Sequence, residues 1–204
     1  MGNEGRMVIF KQICGNKDHC QSDVLEHTIQ LAVEIAREGR EGRKIGTLFV
    51  ISDEKEVLKR SRPLILDPLY GHPPEKKRIC DPHMRETIKE LAQLDGAFIV
   101  SGDGIVISAA QYINASSRRI ELPLGLGSRH IAAASITRDT RAVAVVVSES
   151  AVVRIFNKGQ LVAEIIPEAW LFGKESFNIN GPCQEQKIAD VRVISAKPDE
   201  SHDG

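Results

Sequence analysis

The chain has little of what marks exported or membrane-embedded proteins. Its four cysteines, Cys14, Cys20, Cys80 and Cys183, contain no C-x-x-C pair. A disulfide framework is therefore not indicated, and reduced thiols in a cytoplasmic protein fit the spacing better. No apolar run approaches the roughly 18 residues that suggest a bilayer span, and the N-terminus has no apolar signal region. Arg6 stands where a myristoylation signal wants Ser or Thr. With 27 Lys and Arg against 28 Asp and Glu, the net charge is -1. Binding to nucleic acid through bulk charge finds no support in that balance, and any polyanion site must be local. Also missing are a Walker lysine motif, an H-E-x-x-H and a G-x-S-x-G elbow.

What is present reads as one α/β domain. At 204 residues, 42% of them hydrophobic and 27% charged, the chain can bury one sizeable core. A helix is expected from Asp23, with Glu26 reaching back as a capping box. Leu25, Thr28, Leu31, Ala32, Ile35 and Ala36 form its inner face, and Gly39 stops it. Residues 45–51 (IGTLFVI) are continuously apolar, as in a strand covered on both faces. Residues 62–74 hold four of the nine prolines and read as an ordered surface loop. Asp81-Pro82 is a helix start, with Asp as cap and Pro at the first helical position.

Two apolar strands, 96–100 and 105–109, are joined by a tight turn. After them come a helix over 128–138, a buried strand over 142–147, and a hairpin of 152–156 with 161–166. The expected architecture is a central mixed, twisted sheet flanked by helices on both faces, in a single domain. Residues 1–20 are a lead-in, 21–170 the domain, and 171–204 a C-terminal extension with a polar tail.

Three polar groups interrupt these apolar surroundings: Asp95 before a strand, Ser128-Arg129-His130 at a helix start, and Ser148-Glu149-Ser150 after a strand. The turn from Gly125 through Gly127 runs straight into the helix, leaving backbone N–H groups free to meet an anion. Each group also has a plain alternative: Asp95 as a turn cap, Arg129 paired with a surface acid, Glu149 as a loop charge. Magnitudes decide what a site here requires. A helix terminus gives an anion about 0.3–1 kcal/mol and a charged hydrogen bond about 1.5–3 kcal/mol. Micromolar binding needs about 8 kcal/mol. The turn and Arg129 alone fall short, so a base pocket and a hard cation are expected, the latter Mg²⁺ or Mn²⁺ held by Asp95 and Glu149. No base and orienter accompany Ser128, which disfavours acyl transfer. Phosphoryl or nucleotidyl transfer remains, because positioning and charge neutralisation do most of its catalysis.

The ordered set Asp95-Gly96-Ala97, then Gly127-Ser128-Arg129-His130-Ile131-Ala132-Ala133, then Val147-Ser148-Glu149-Ser150 resembles the diadenylate cyclase domain of bacterial DNA-integrity scanning proteins and membrane-bound cyclases. The resemblance extends upstream to residues 46–51 and downstream to Gly159. It implies that two ATP molecules are converted into cyclic di-AMP and two pyrophosphates across a face-to-face homodimer, one ATP per subunit, with larger assemblies open. It further implies that Asp95 holds the metal and helps activate the 3′-hydroxyl, while Gly96 and Ala97 let the backbone approach the nucleotide. Ser128, Arg129 and His130 contact phosphates, and Ser148 and Glu149 lie beside the triphosphate and metal. The resemblance thus makes Asp95, Arg129 and His130 the catalytic set.

The bacterial pattern has a second arginine where this chain has Ile131, a variant similar to the archaeal branch of the family. That substitution motivates a second reading, a non-catalytic sensor of ATP or cyclic di-AMP. A third is an effector domain of the pyruvate-kinase C-terminal type, which would give Asp95 no task. Neither a membrane nor a nucleic-acid partner is expected.

Overall fold

The structure, a computed structural model, describes residues 21–114, 120, 122, 123, 125–167, 183–188 and 191–196. Four α-helices appear among them: α1 (Ser22–Glu38), α2 (Glu54–Lys59), α3 (Pro82–Leu91) and α4 (Ser128–Asp139). The strands are β1 (Thr47–Ile51), β2 (Ser61–Pro63), β3 (Ala97–Val100), β4 (Val106–Ile113), β5 (Val143–Val147), β6 (Val153–Asn157), β7 (Gln160–Ile166), β8 (Cys183–Ile188) and β9 (Val191–Ala196). They form one sheet in the order β2-β4-β3-β1-β5-β6-β7-β9-β8. The pair β1 and β3 is parallel, and the other pairings are antiparallel. The mixed sheet is as expected.

Alternation along the strands splits the core in two. Phe49 and Ile51 of β1, Phe98 and Val100 of β3, and Val143, Val145 and Val147 of β5 pack under α1 and α3. Leu48, Val50, Ala97, Ile99, Ala144 and Val146 point the other way, under α4 and Val57 of α2. A strand buried on both faces cannot alternate polar with apolar residues, which explains why β1 and β5 read as unbroken apolar runs. Register places Phe49 opposite Phe98, and their rings stack with centroids 5.1 Å apart.

Local signals held at most boundaries. Asp81 caps α3 by accepting from the Met84 N–H at 3.0 Å. Gly39 ends α1 at φ +60°, where a Cβ would stand 2.2 Å from the Arg43 carbonyl oxygen. The expected capping box at Asp23 does not form: Gln21 precedes α1 without a side-chain cap, and Asp23 lies inside the first turn. There its charge still meets the positive end of the helix dipole.

The proline-rich segment is a loop apart from β2, a three-residue edge strand against β4. Such short, proline-bearing strands suit a sheet edge because their unpaired donors are few. Strands β8 and β9 extend the sheet beyond β7, so the C-terminal extension carries ordered strands that sequence reading did not foresee. The lead-in over residues 1–20 and the tail after Ala196 lie outside the described residues.

Candidate active site

Topology brings the three interrupted motifs to one end of the sheet. Strands β1 and β3 run parallel, so Gly46 and Asp95-Gly96, which precede them, share that end. Strand β5 runs antiparallel to β1, with Thr47 opposite Val147, so Ser148 and Glu149, which follow β5, arrive there too. Helix α4 starts beside them at Gly127, whose carbonyl accepts from the His130 N–H at 3.0 Å. The preceding amides are the orphan donors of a helix start. A Cβ at Gly127 would meet nothing within 4 Å, so the approach to those donors is open.

Arg129 ties the motifs together. Its Nη1 donates to Glu149 Oε1 at 3.2 Å and its Nη2 to Asp95 Oδ1 at 3.4 Å. The Asp95 and Glu149 side chains are 90% and 69% exposed. Ion pairs this exposed are worth about 0.2–1 kcal/mol each, so phosphate oxygens can replace either acid on the guanidinium at small cost.

A cavity of about 670 Å³ opens beside this pair, with Asp95, Ser128 and Arg129 at its polar end. Leu48, Ala97 and Ile113 from the sheet and Ile131 and Ala132 from α4 line its apolar part. Gly96 sits at φ +106°, and a Cβ on it would lie 2.7 Å from the backbone carbon of Ala110. The glycine is therefore needed for close approach of β3 to β4. A second cleft of about 420 Å³ lies at the opposite ends of β1 and β3. It is lined by the cations Lys55 and Arg141, of which Arg141 is engaged by Asp53 at 3.4 Å, and no motif residue borders it.

His130 is placed differently from its neighbours. It is buried under α4, with its ring edge toward Phe156 at 6.1 Å, and does not line the cavity. Its Nε2 lies 3.4 Å from Arg154 Nη1. A guanidinium only donates, so Nε2 accepts and the proton sits on Nδ1. Burial first, then the charges of Arg154 and Arg129, push its pKa from 6.5 down to about 4, against an opposing contribution from the Gly127 backbone. The imidazole is thus neutral near pH 7. Arg154 in turn donates through Nε to Glu164 across the β6–β7 pair. Ser148 and Ser150 bond to each other at 2.8 Å within the turn that links β5 to β6.

As a metal site the arrangement offers two hard carboxylate oxygens. Among the described residues no group of three or more His, Cys, Asp or Glu is gathered to hold an ion. Carboxylate oxygens are the donor type that a Mg²⁺-class cation takes, and Arg129 engages one oxygen of each acid.

Sequence reasoning gave no site role to five residues. Gly46 leaves room for Arg129, since a Cβ there would stand 2.7 Å from Nη1. Gln111 and Tyr112 border the cavity because β4 runs on to Ile113, past the expected end at Ala109. The buried pair Arg154 and Glu164 backs His130. The one available signal was charge inside an apolar hairpin, at positions facing each other across the strands.

The family model described as the DisA bacterial checkpoint controller nucleotide-binding domain (DAC) matches residues 34–161. A diadenylate cyclase of Methanocaldococcus jannaschii is 46% identical over 153 residues, 74% of this chain and 48% of that protein. One from Haloferax volcanii is 39% identical over 150 residues, 72% of this chain and 54% of that protein. The chain spans about half the length of these curated relatives. A crystal structure of a hypothetical membrane-spanning protein from Bacillus cereus superposes with a TM-score of 0.52 at 20% identity, covering 76% of this chain and 68% of that one. That likeness speaks to the fold alone. Among the described residues no helix is long and apolar enough to cross a membrane. By its family match and the archaeal source of these two relatives, the chain belongs to the archaeal branch of the DAC nucleotide-binding family.

Proposed function

We propose that the chain is a diadenylate cyclase, a nucleotidyltransferase that condenses two ATP into cyclic di-AMP and two pyrophosphates. The observation that carries this reading is Arg129 at the head of α4, held between Asp95 and Glu149 beside a cavity of about 670 Å³. Nucleotide-sized pockets run from roughly 300 to 1,000 Å³. The triphosphate lies along Ser128, Arg129 and the free amides of α4, and the base enters the apolar part.

In the reaction each ribose 3′-oxygen forms a bond to the other nucleotide's α-phosphorus, and the bond from that phosphorus to the bridging oxygen of pyrophosphate breaks. The 3′-hydroxyl proton passes to water as the new ester forms. Arg129 offsets the charge on the phosphates. Asp95 and Glu149 would hold a divalent cation, Mg²⁺ or Mn²⁺, which would supply charge neutralisation at the phosphates. Gly96 lets β3 close on β4, and Ala97, with only a methyl group on the cavity side, leaves the nucleotide room to approach the start of β3. His130, neutral and buried, positions the first turn of α4 instead of touching phosphate.

One subunit carries a half-site, so a second copy facing it supplies the other ATP, and larger assemblies are compatible with this. The catalytic unit is residues 21–170, flanked by 1–20 and 171–204. Its substrate and reduced thiols suit the cytoplasm. The test compares wild type with Asp95→Asn: the variant should bind ATP within a few-fold of wild type yet release no pyrophosphate. Turnover by Asp95→Asn at the wild-type rate would refute the assignment.

A further inference from the structure

Register across β1, β3 and β4 aligns Leu48 with Ala97 and Ala97 with Gln111. Directly paired residues share a face of the sheet, so these three form one row on the cavity floor. Gln111 is 6% exposed and is the polar member of that row. It lines the cavity from β4, two strands over from β1, together with the apolar Leu48, Ala97 and Ile113.

Its amide is aimed by a relay. Asp67 Oδ1 accepts from the Leu69 N–H at 2.9 Å and from the Ala109 N–H at 3.2 Å. Ser108 Oγ donates to Asp67 Oδ2 at 2.6 Å, and Gln111 Nε2 donates to Ser108 Oγ at 2.8 Å. The directions are forced. A carboxylate only accepts, so the single Ser108 proton goes to Asp67, and the hydroxyl must accept from the amide. That fixes the NH₂ group inward and leaves the carbonyl Oε1 facing away from Ser108. Among the described residues no group donates to that oxygen.

A bulge makes the relay possible. Side chains three apart on a regular strand point to opposite faces. The register shift in β4 and the positive φ of Ala110, +53°, break that rule and bring Ser108 and Gln111 together. Bulges of this kind re-aim side chains beside active sites.

We infer that Gln111 is a specificity-determining residue, its carbonyl accepting a hydrogen bond from the 6-amino group of ATP, with Asp67 as the positioning residue that sets its orientation. This rests on the ATP reading above. A 6-oxo purine presents an acceptor to that acceptor, and a buried polar pair left unmatched is what rejects a near-isosteric ligand.

The test is displacement of 2′(3′)-O-methylanthraniloyl-ATP from the full chain by ATP and by ITP, which differ at the 6-position. Wild type should prefer ATP by roughly tenfold or more. Gln111→Met should lose that preference through weaker ATP binding, with ITP little changed. Asp67→Asn offers Ser108 a donor in place of an acceptor. Ser108 then donates to Gln111, the amide turns, its NH₂ faces the cavity, and the preference should shift toward ITP. A thermal melt confirms that both variants are folded, and a collapsed fold would not leave ITP binding intact. A wild-type chain that binds both nucleotides equally, or an unchanged ATP to ITP ratio in either variant, would overturn the inference. Failure of wild type to bind unlabelled ATP, read by calorimetric titration, would instead overturn the ATP reading itself, and Gln111's role with it.

Discussion

A Cβ placed on Gly46 would stand 2.7 Å from Nη1 of Arg129, so the guanidinium fills space that any side chain at 46 would need. The clash is with the end of a flexible side chain, not with backbone. Gly46→Ala should therefore fold, with a melting temperature within a few degrees of wild type, while Arg129 is pushed off Asp95 and Glu149. ATP affinity should fall by roughly tenfold, the worth of one misplaced charged hydrogen bond. Calorimetric titration with ATP alongside a thermal melt separates the two effects.

Gly96 should behave in the opposite way. At φ +106°, with Ala110 backbone atoms 2.7 to 2.9 Å from a built Cβ, it cannot take a side chain without moving β4. Gly96→Ala should lose at least about 1–3 kcal/mol of stability, read as a lower urea midpoint. A midpoint equal to wild type would show that the β3–β4 approach is looser than described.

The buried His130 makes stability depend on pH. Its folded pKa, about 4, lies below the ordinary 6.5, so the unfolded chain binds the extra proton between those values. Stability from this residue is fully present above about pH 6.5 and is lost as pH falls toward 4, by roughly 2–4 kcal/mol in all. Urea midpoints at pH 7 and pH 4.5 should differ less in His130→Gln than in wild type. Equal differences in the two proteins would place the imidazole in solvent.

Arg154 and Glu164 face each other across β6 and β7 with side chains 11% and 4% exposed. Glu164→Leu strands a buried guanidinium and should cost about 3–5 kcal/mol. Arg154→Met combined with Glu164→Leu should recover much of that, because the desolvated charge is gone. A double-mutant cycle in denaturant gives the coupling. Additive losses would mean that the pair does not interact.

The strands β1 and β5, the helix stop at Gly39 and the helix start at Asp81 were legible because their signals are local: an apolar run, a turn residue, a cap. The convergence of Asp95, Arg129 and Glu149 was legible only as three separate interruptions of apolar sequence. What joins them is the parallel pairing of β1 with β3 and the antiparallel pairing with β5, which no single stretch encodes. Gln111 was hidden for a different reason. The bulge at Ala110 shifts the period along β4, so the sequence neither extends the strand past Ala109 nor shows which face Gln111 takes. His130 misled by its position in the motif, since residues one apart on a helix turn to different sides. Arg129 reaches the cavity and His130 turns into the core.

The most direct measurement is a time course of ATP with the full chain and Mn²⁺ or Mg²⁺, following nucleotide products by mass spectrometry and pyrophosphate in parallel. One cyclic di-AMP should appear for every two pyrophosphates released, with specific activity falling on dilution below the dissociation constant of the dimer. Saturable ATP binding with no pyrophosphate, or pyrophosphate without a cyclic dinucleotide, would contradict the account.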